Sequence, residues 1–122
     1  MLYPNIHQLT RENTFFRKVI FTNKDCQGVV MSIRPGEDIG LETHDDVDQI
    51  LLFVKGTGRA ILDGQSSDFV AGDLANVPAG TKHNFINTGE EDLKVFTIYS
   101  PPEHKDGTVH TTKADAMAHP HE

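Results

Sequence analysis

Short runs of β-branched, aromatic and aliphatic residues are separated along this chain by turn signals, roughly every 6–12 residues. The sharpest turn signal is Asp63-Gly64, because both residues tolerate the positive φ of a tight hairpin. This spacing predicts an antiparallel β-sandwich or barrel. The predicted strands are Phe15–Phe21, Gly28–Ile33, Ile50–Val54, Arg59–Leu62, Ser67–Val70, Leu74–Val77, Phe85–Asn87 and Leu93–Tyr99.

The two ends of the chain depart from the strand pattern. Leu9–Asn13 is predicted to form a short helical turn, and a polar tail with two prolines follows the last strand. Within the tail we expect a short helix over Thr111–Ala118, capped by Thr111 or Thr112. His119–Glu122 is expected to be a frayed end, with metal binding by its histidines as the alternative.

The length of 122 residues predicts a single domain with a real core. We place the barrel at about residues 15–100 and the tail at 101–122. In the tail, His104 and His110 are expected at the surface, with the barrel mouth as the alternative. The phenylalanines expected in the core are Phe53, Phe85 and Phe96.

Composition excludes several classes of partner. The net charge of −7 argues against a nucleic-acid partner, whose phosphates require a basic face. No apolar run reaches the roughly 18 residues of a membrane span, and the N-terminus lacks the pattern of a signal peptide. Cys26 is the only cysteine, which excludes an internal disulfide. We therefore expect a cytoplasmic protein with neither a nucleic-acid nor a membrane partner.

The stretch Gly36–Gly56 contains a polar segment that leads into an apolar strand. Glu42 and His44 are two residues apart, so in an extended segment both side chains point to one face. An acidic turn then changes the direction of the chain, and Gln49 is predicted to share a strand face with Leu51 and Phe53. Asp48 is the alternative to Gln49 as an oxygen donor at this point. The segment is either a solvated loop or half of a metal site.

The other half of such a site is the stretch Gly72–Asn87. It resembles the second conserved motif of the cupin superfamily at every fixed position, namely Gly72, Pro78, Gly80, His83 and Asn87. The first cupin motif is similar in spacing, with its fixed positions at Gly36, His44 and Gly56. Two residues depart from the usual pattern: Glu42 replaces a histidine, and Gln49 replaces a glutamate.

This resemblance implies an all-β fold, the cupin-type double-stranded β-helix or jelly-roll barrel, with a short, partly irregular C-terminal tail. The chain looks most like the small single-domain bacterial cupins labelled mannose-6-phosphate isomerase-like. The resemblance implies one divalent metal ion per chain, with Glu42, His44, Gln49 and His83 as ligands. A mixed nitrogen and oxygen set suits Mn, Fe, Ni, Co or Zn. A single carboxylate leaves a net positive charge, which favours an anionic, bidentate oxygen ligand.

Two functions follow as hypotheses. The first is an enzyme, an isomerase, decarboxylase or dioxygenase, that uses the metal as a Lewis acid or redox centre on an oxo-acid, enediol or sugar-like substrate. The second is a small-molecule or sugar-binding module without catalysis. Tyr99 and His104 are the candidate catalytic residues, and Lys55 is a candidate at the rim. We also expect a homodimer, in which strand Phe15–Phe21 pairs with a second copy to cover an open barrel edge.

Overall fold

The computed structural model describes residues 1–119, so the predicted frayed end lies outside the described residues except for His119. Two short helices and nine strands follow one another in chain order. They are α1 (Ile6–Glu12), β1 (Arg17–Thr22), β2 (Gln27–Ile33), β3 (Asp48–Lys55), β4 (Thr57–Leu62), β5 (Gln65–Val70), β6 (Leu74–Val77), β7 (His83–Asn87), β8 (Leu93–Ser100), β9 (Val109–His110) and α2 (Lys113–Ala118). Neither helix in this described part of the chain is long and apolar enough to cross a membrane.

The strands form two antiparallel sheets, as the turn spacing predicts. One sheet has six strands in the order β6-β3-β8-β2-β1-β9, and the other has three in the order β5-β4-β7. The hairpin between β4 and β5 turns at Asp63 and Gly64, whose φ values of 49° and 82° are both positive. Both sheets contribute side chains to a single apolar cluster between them, the arrangement of a jelly roll.

The core follows the alternation of the strands. Along β3, Gln49, Leu51 and Phe53 are buried on the inward face, while Asp48 and Ile50 are exposed. The Phe53 ring stacks on Phe69 with centroids 3.8 Å apart and also contacts Phe85. Burying each such aromatic or large aliphatic side chain contributes roughly 1.5–3 kcal/mol to folding.

One of the three core predictions is wrong. Phe53 and Phe85 are buried, but Phe96 is only half-buried. Odd-numbered residues of β8, such as Val95 and Thr97, point inward, so Phe96 lies on the outer face of the six-stranded sheet. Its apolar character was no guide to which face it occupies.

The tail packs back on the barrel. β9 pairs with β1 through Arg17 opposite His110, and the Val19 N–H donates to the Thr108 carbonyl at 2.9 Å. Part of the β1 edge is thus covered by the same chain, so the predicted pairing of this edge with a second copy is wrong at those residues. α2 begins after Thr112, whose side chain accepts a hydrogen bond from the Asp115 N–H, as predicted.

Candidate metal centre

The two motif stretches are joined by backbone hydrogen bonds. The Glu42 N–H donates to the His83 carbonyl at 2.9 Å, and the His83 N–H donates back to Glu42 at 2.8 Å. The Gly80 N–H donates to the His44 carbonyl at 2.8 Å, in a turn where Gly80 has a φ of 87°. A residue other than glycine is strained at that φ. This pairing explains why the two motifs bring their side chains to one place.

Three of the four predicted metal-binding residues meet there. One ligand atom each from Glu42, His44 and His83 lies within 4.8 Å of the other two. The two imidazole rings have centroids 5.3 Å apart, and Glu42 Oε2 is 2.9 Å from His44 Nε2. His83 is 1% exposed, whereas Glu42 and His44 are half-buried. The set of two imidazoles and a carboxylate is a common one for a divalent transition ion.

Hydrogen bonds fix which ring nitrogens are available. His83 Nδ1 lies 2.9 Å from the Thr81 carbonyl, an acceptor, so Nδ1 carries the proton of the neutral ring. Nε2 of His83 is buried and has no hydrogen-bond partner. His44 Nδ1 faces Glu103 Oε1 at 3.4 Å, and its Nε2 is buried beside Glu42 without an aligned hydrogen bond. Both Nε2 atoms are therefore oriented as a metal ligand requires.

Gln49, the fourth predicted ligand, is also buried, and its amide orientation follows from its neighbours. Its Nε2 donates to Thr97 Oγ1 at 3.1 Å, and Thr97 Oγ1 donates to the Ile50 carbonyl. Gln49 Oε1 is consequently the free end of the amide, buried without a hydrogen-bond partner. Gln49 lies opposite Tyr99 in the β3–β8 register, and the Tyr99 ring is 6.1 Å from that of His44.

Asp48, the alternative to Gln49, lies on the exposed side of β3. Its Oδ1 accepts a hydrogen bond from the Ala79 N–H at 2.8 Å. Asp48 thus holds the turn that precedes His83 and does not face the cluster.

The cluster perturbs its own ionisation. Burial disfavours the charged carboxyl, but the adjacent imidazoles and the Arg17 guanidinium outweigh it, so the pKa of Glu42 lies below its usual value. The Glu42 carboxylate in turn raises the pKa of His44, against the opposing effect of burial. A negative carboxylate facing imidazole nitrogens favours a bound cation, either a proton or a metal ion.

The cluster opens into a pocket of about 290 Å³ between the barrel and the tail. Glu42 and His44 line its inner wall, and much of the opposite wall comes from residues outside both motifs. We call Glu42, His44, Gln49 and His83 the motif group, and we call Arg17, Glu103, His104 and Lys113 the rim group. Apart from His104, the rim group was missed by the sequence analysis. The sequence signal that could have identified Arg17 is its spacing of two residues from Val19, which places both side chains on the inward face of one strand.

The candidate catalytic residues both lie near the cluster. Tyr99 is 1% exposed, and its ring makes edge contacts with the rings of His44 and His104. Burial raises the pKa of Tyr99, so its hydroxyl keeps its proton at neutral pH. His104 is half-buried and lines the pocket, which is the barrel-mouth alternative to a surface position. His110 is 2% exposed, so its predicted surface position is wrong. Lys55 is outside this pocket and faces Glu91.

The tail segment at the rim is anchored by Gln27, a residue to which the sequence analysis assigned no role. Gln27 is fully buried, and its Oε1 accepts hydrogen bonds from the Glu103 and His104 N–H groups at 3.2 and 3.0 Å. Its Nε2 donates to the His104 carbonyl at 2.8 Å. One amide side chain thereby fixes the two tail residues that face His44 and the pocket.

The sequence matches the cupin domain family over residues 29–99, which is more than half of the chain. The chain belongs to the cupin family. The matched region contains the whole motif group, whereas the rim group lies outside it. The inner wall of the pocket therefore lies within the matched family domain, and the outer wall comes from the segments that flank it.

Three relatives show how far the similarity extends. The chain is 49% identical over 121 residues to the uncharacterized protein YrkC of Bacillus subtilis, covering 93% of this chain and 64% of that protein. The crystal structure of BH2720 from Bacillus halodurans superposes with a TM-score of 0.94 at 41% identity, covering 96% of this chain and 93% of that one. A predicted oxalate decarboxylase from Thermotoga maritima superposes with a TM-score of 0.62 at 28% identity, covering 66% and 70%.

Proposed function

We propose that this cupin is a metal-dependent enzyme acting on a small, oxygen-rich, anionic substrate. The observation that carries the proposal is the cluster of Glu42, His44 and His83, whose ligand atoms lie within 4.8 Å of one another beside a pocket of about 290 Å³. The Nε2 atom of His83 is buried without a hydrogen-bond partner, and the Nε2 atom of His44 is buried with Glu42 Oε2 2.9 Å away. Buried polar atoms rarely remain unpaired unless an ion, water or ligand completes them.

The donor set fits one divalent ion, Mn, Fe, Ni, Co or Zn, held by the motif group. The protonation of His83 at Nδ1 leaves Nε2 to bind, and the amide orientation of Gln49 leaves Oε1. When bound, such an ion polarises a carbonyl or stabilises an enolate, and a redox-active ion extends this to oxygenation. The motif group would hold the ion from one side, which would leave it open to substrate oxygens from the pocket.

The remaining residues of the site are assigned roles from their position. His104 lines the pocket and is the proposed proton acceptor. Tyr99 keeps its proton because burial raises its pKa, so it is a hydrogen-bond donor rather than a base. Glu103 orients His44 through Nδ1.

Isomerase, decarboxylase and dioxygenase chemistry all remain within this proposal. The name of the Thermotoga relative, a predicted oxalate decarboxylase, supports a small acid as substrate. A sugar phosphate is disfavoured, because the pocket has few cations for a phosphate and includes two carboxylates, Glu42 and Glu103. The alternative, a binding module without turnover, would use the same cluster to hold the ligand.

The test is a turnover assay on the full chain loaded with each candidate metal. Small 2-oxo acids, hydroxy acids and enediols are incubated with the protein, and their consumption is followed by NMR. We expect metal-dependent turnover of at least one acid, lost in His83→Ala. Binding of an acid without turnover would instead establish the binding module, and a wild-type chain that retains no metal would reject the metal-dependent enzyme.

We further propose that residues 1–122 form one cupin domain with the tail packed on it, in a reducing cytoplasm. Cys26, the only cysteine, is half-buried and its sulfur lies 3.7 Å from Asn23 Nδ2. The chain spans 64% of the length of YrkC.

The homodimer stays a proposal, on a different surface from the one first expected. Ile50 and Leu74 are 43% and 61% exposed on the outer face of the six-stranded sheet. The β3–β8 and β3–β6 registers place half-buried apolar side chains beside them, so the face is continuous; these are Leu52, Phe96 and Ile98. A patch of this kind marks an interface. Sedimentation at micromolar concentration should give twice the chain mass, and Leu74→Lys should give a monomer; a monomeric wild type would contradict the dimer.

A further inference from the structure

Arg17 is a buried cation with incomplete partners. It is 7% exposed, and its Nε is buried without a hydrogen-bond partner. No carboxylate oxygen of the described residues lies within 4.0 Å of its guanidinium nitrogens. Its Nη1 lies 3.3 Å from His110 Nδ1, and its guanidinium carbon lies 5.3 Å from the centroid of the Phe16 ring. Arginine is almost never this deeply buried unless it is paired with an anion.

The guanidinium lines the same pocket as Glu42 and His44. Its position is fixed by the backbone, because Arg17 pairs with Met31 on one side and with His110 on the other. A side chain held on a central strand position offers a preformed donor group, which lowers the entropic cost of binding a ligand.

Lys113, the lysine of the rim group, is already paired with a carboxylate of the same chain. Lys113 forms an ion pair and hydrogen bond with Asp38, whose other oxygen accepts from Asn84. Of the four arginines in the chain, Arg11, Arg34 and Arg59 are exposed. Within residues 1–119, Arg17 is therefore the charged donor of this pocket that makes no ion pair within 4.0 Å, although it is near enough to Glu42 to help lower the pKa of that carboxyl.

We propose that Arg17 binds a carboxylate of the substrate, so that the substrate class is a small 2-oxo or 2-hydroxy acid. This assignment rests on the proposed function, in which the motif group holds the metal that takes the substrate's other oxygens. Arginine presents its N–H groups as a planar fork that matches a carboxylate in two hydrogen bonds. Nη1 contacts His110 Nδ1, so the proposal assigns the carboxylate to the other guanidinium N–H groups.

A carboxylate fits this site better than a phosphate. A pocket of about 290 Å³ is at the small end of the range for ligand pockets, which suits a small acid. Glu103 and Glu42 add negative charge to the walls, which repels a dianion more than a monoanion. A single unpaired cation suits one carboxylate.

His110 is the positioning residue for this contact. Arginine only donates hydrogen bonds, so His110 Nδ1 accepts from Nη1. His110 is 2% exposed and therefore holds the guanidinium from behind without reaching the pocket itself.

The test compares two chelators on the Zn²⁺-loaded full chain by calorimetry. Pyruvate carries a carboxylate, and acetohydroxamic acid is a bidentate oxygen chelator of similar size without one. Arg17→Gln should weaken pyruvate binding by at least about tenfold, the effect of losing a charge-assisted hydrogen bond. The affinity for acetohydroxamic acid should change by less than about twofold. The matched control is Lys18→Gln, which removes the same charge from the exposed face of the same strand. It should leave the affinity for both chelators unchanged.

Equal weakening of both chelators by Arg17→Gln would assign Arg17 a purely structural role and overturn the proposal. An unchanged pyruvate affinity would do the same, as would inorganic phosphate binding as tightly as pyruvate. Arg17→Lys keeps the charge but lacks the planar fork of N–H groups. Its pyruvate affinity should lie between those of wild type and Arg17→Gln, and its acetohydroxamic acid affinity should equal that of wild type.

A second measurement uses the wild-type chain with [¹⁵N]arginine. Arg17 is the buried arginine, so its Nε–H signal should be distinguished by slow exchange, and pyruvate should shift it where acetohydroxamic acid does not. The titration is repeated on metal-free protein. A chain that binds no Zn²⁺ but shows the Arg17 shift would reject the proposed metal function and keep the carboxylate site. Zn²⁺ binding without any Arg17 shift would reject the carboxylate site alone.

Discussion

The motif group, through Glu42 and His44, lines the same pocket as the rim group, but the two groups are held in place differently. Glu42 and His83 are joined by reciprocal backbone hydrogen bonds, and Gly80 closes the turn onto His44. The rim depends on side-chain contacts of the tail, such as the Gln27 side chain with Glu103 and the Arg17 side chain with His110. The candidate metal centre is thus held by backbone hydrogen bonds between the two motif stretches, and the outer wall is held by the docking of the tail.

The difference assigns a separate property to each group. The cupin family match over residues 29–99 includes the motif group and excludes Arg17 and Glu103. We therefore expect changes in the motif group to abolish metal binding, and changes in the rim group to alter ligand choice and local stability. Variants of each group test whether metal binding and the stability of the outer wall are separate properties.

The largest effect is expected for His83→Ala. Removing a ligand whose Nε2 is buried and unpartnered should weaken metal binding by more than about 100-fold, because even outer-shell changes cost 10–100-fold. Calorimetric metal titration measures this. His7→Ala makes the same change on an exposed histidine of α1 and should leave affinity unchanged. Affinity within about threefold of wild type in His83→Ala would remove His83 from the site.

The second effect is on the attachment of the tail. Gln27→Leu leaves two N–H groups and one carbonyl of the tail unpaired, and each such group costs roughly 1–3 kcal/mol if it stays buried. Chemical denaturation should show a loss of about 2 kcal/mol or more. Gln65→Leu, on an exposed strand end, is the control and should lose little. Metal affinity in Gln27→Leu should fall much less than in His83→Ala; an equal fall would mean that the two groups are not separable.

Glu103→Gln tests a contact that links the two groups. Glu103 Oε1 lies 3.4 Å from His44 Nδ1, and an amide there loses the charge that orients the ring. We expect metal affinity to fall by about tenfold, the low end for an outer-shell group, because the side chain is partly exposed. Glu90→Gln, on an exposed loop, should have no effect. A fall as large as that of His83→Ala would indicate that Glu103 is itself a ligand.

The smallest effect is a pH dependence of the rim. Burial opposes ionisation of Asp38, but the hydrogen bonds from Lys113 and Asn84 outweigh it, so the pKa of Asp38 is lowered. A lowered acid pKa gives stability that is present above the ordinary value of 3.8 and is lost as pH falls through the lowered value.

Hydrogen exchange can follow this loss in α2, which carries Lys113. Relative to intrinsic rates, amides of α2 should lose protection in that acid window while those of β7 keep theirs. Lys113→Gln should show reduced α2 protection already at neutral pH and no further step on acidification. An identical acid step in wild type and Lys113→Gln would show that other carboxyls control it.

Much of the fold followed from local signals in the sequence. The Asp63-Gly64 hairpin, the strands around it and the Thr112 cap depend on the φ preferences and hydrogen bonds of neighbouring residues. The outward position of Phe96 and the pairing of β9 with β1 depend on register between distant segments. Residue type alone does not specify such a register.

The candidate site shows the same limit. Glu42, His44 and His83 were predicted from motif spacing, and the structure brings them together. Arg17, Glu103 and Gln27 were not, because a charged or amide side chain in a strand or polar tail looks like a solvated surface until the tail is docked. The buried position of His110 has the same origin.

The most direct test of the account is the anomalous diffraction of metal-replete crystals, recorded at the absorption edge of the bound ion. We expect one ion per chain, with Glu42, His44 Nε2, Gln49 Oε1 and His83 Nε2 at about 2.0–2.3 Å. An ion bound elsewhere, or one that is not contacted by both His44 and His83, would contradict the central claim that the motif group is the metal site.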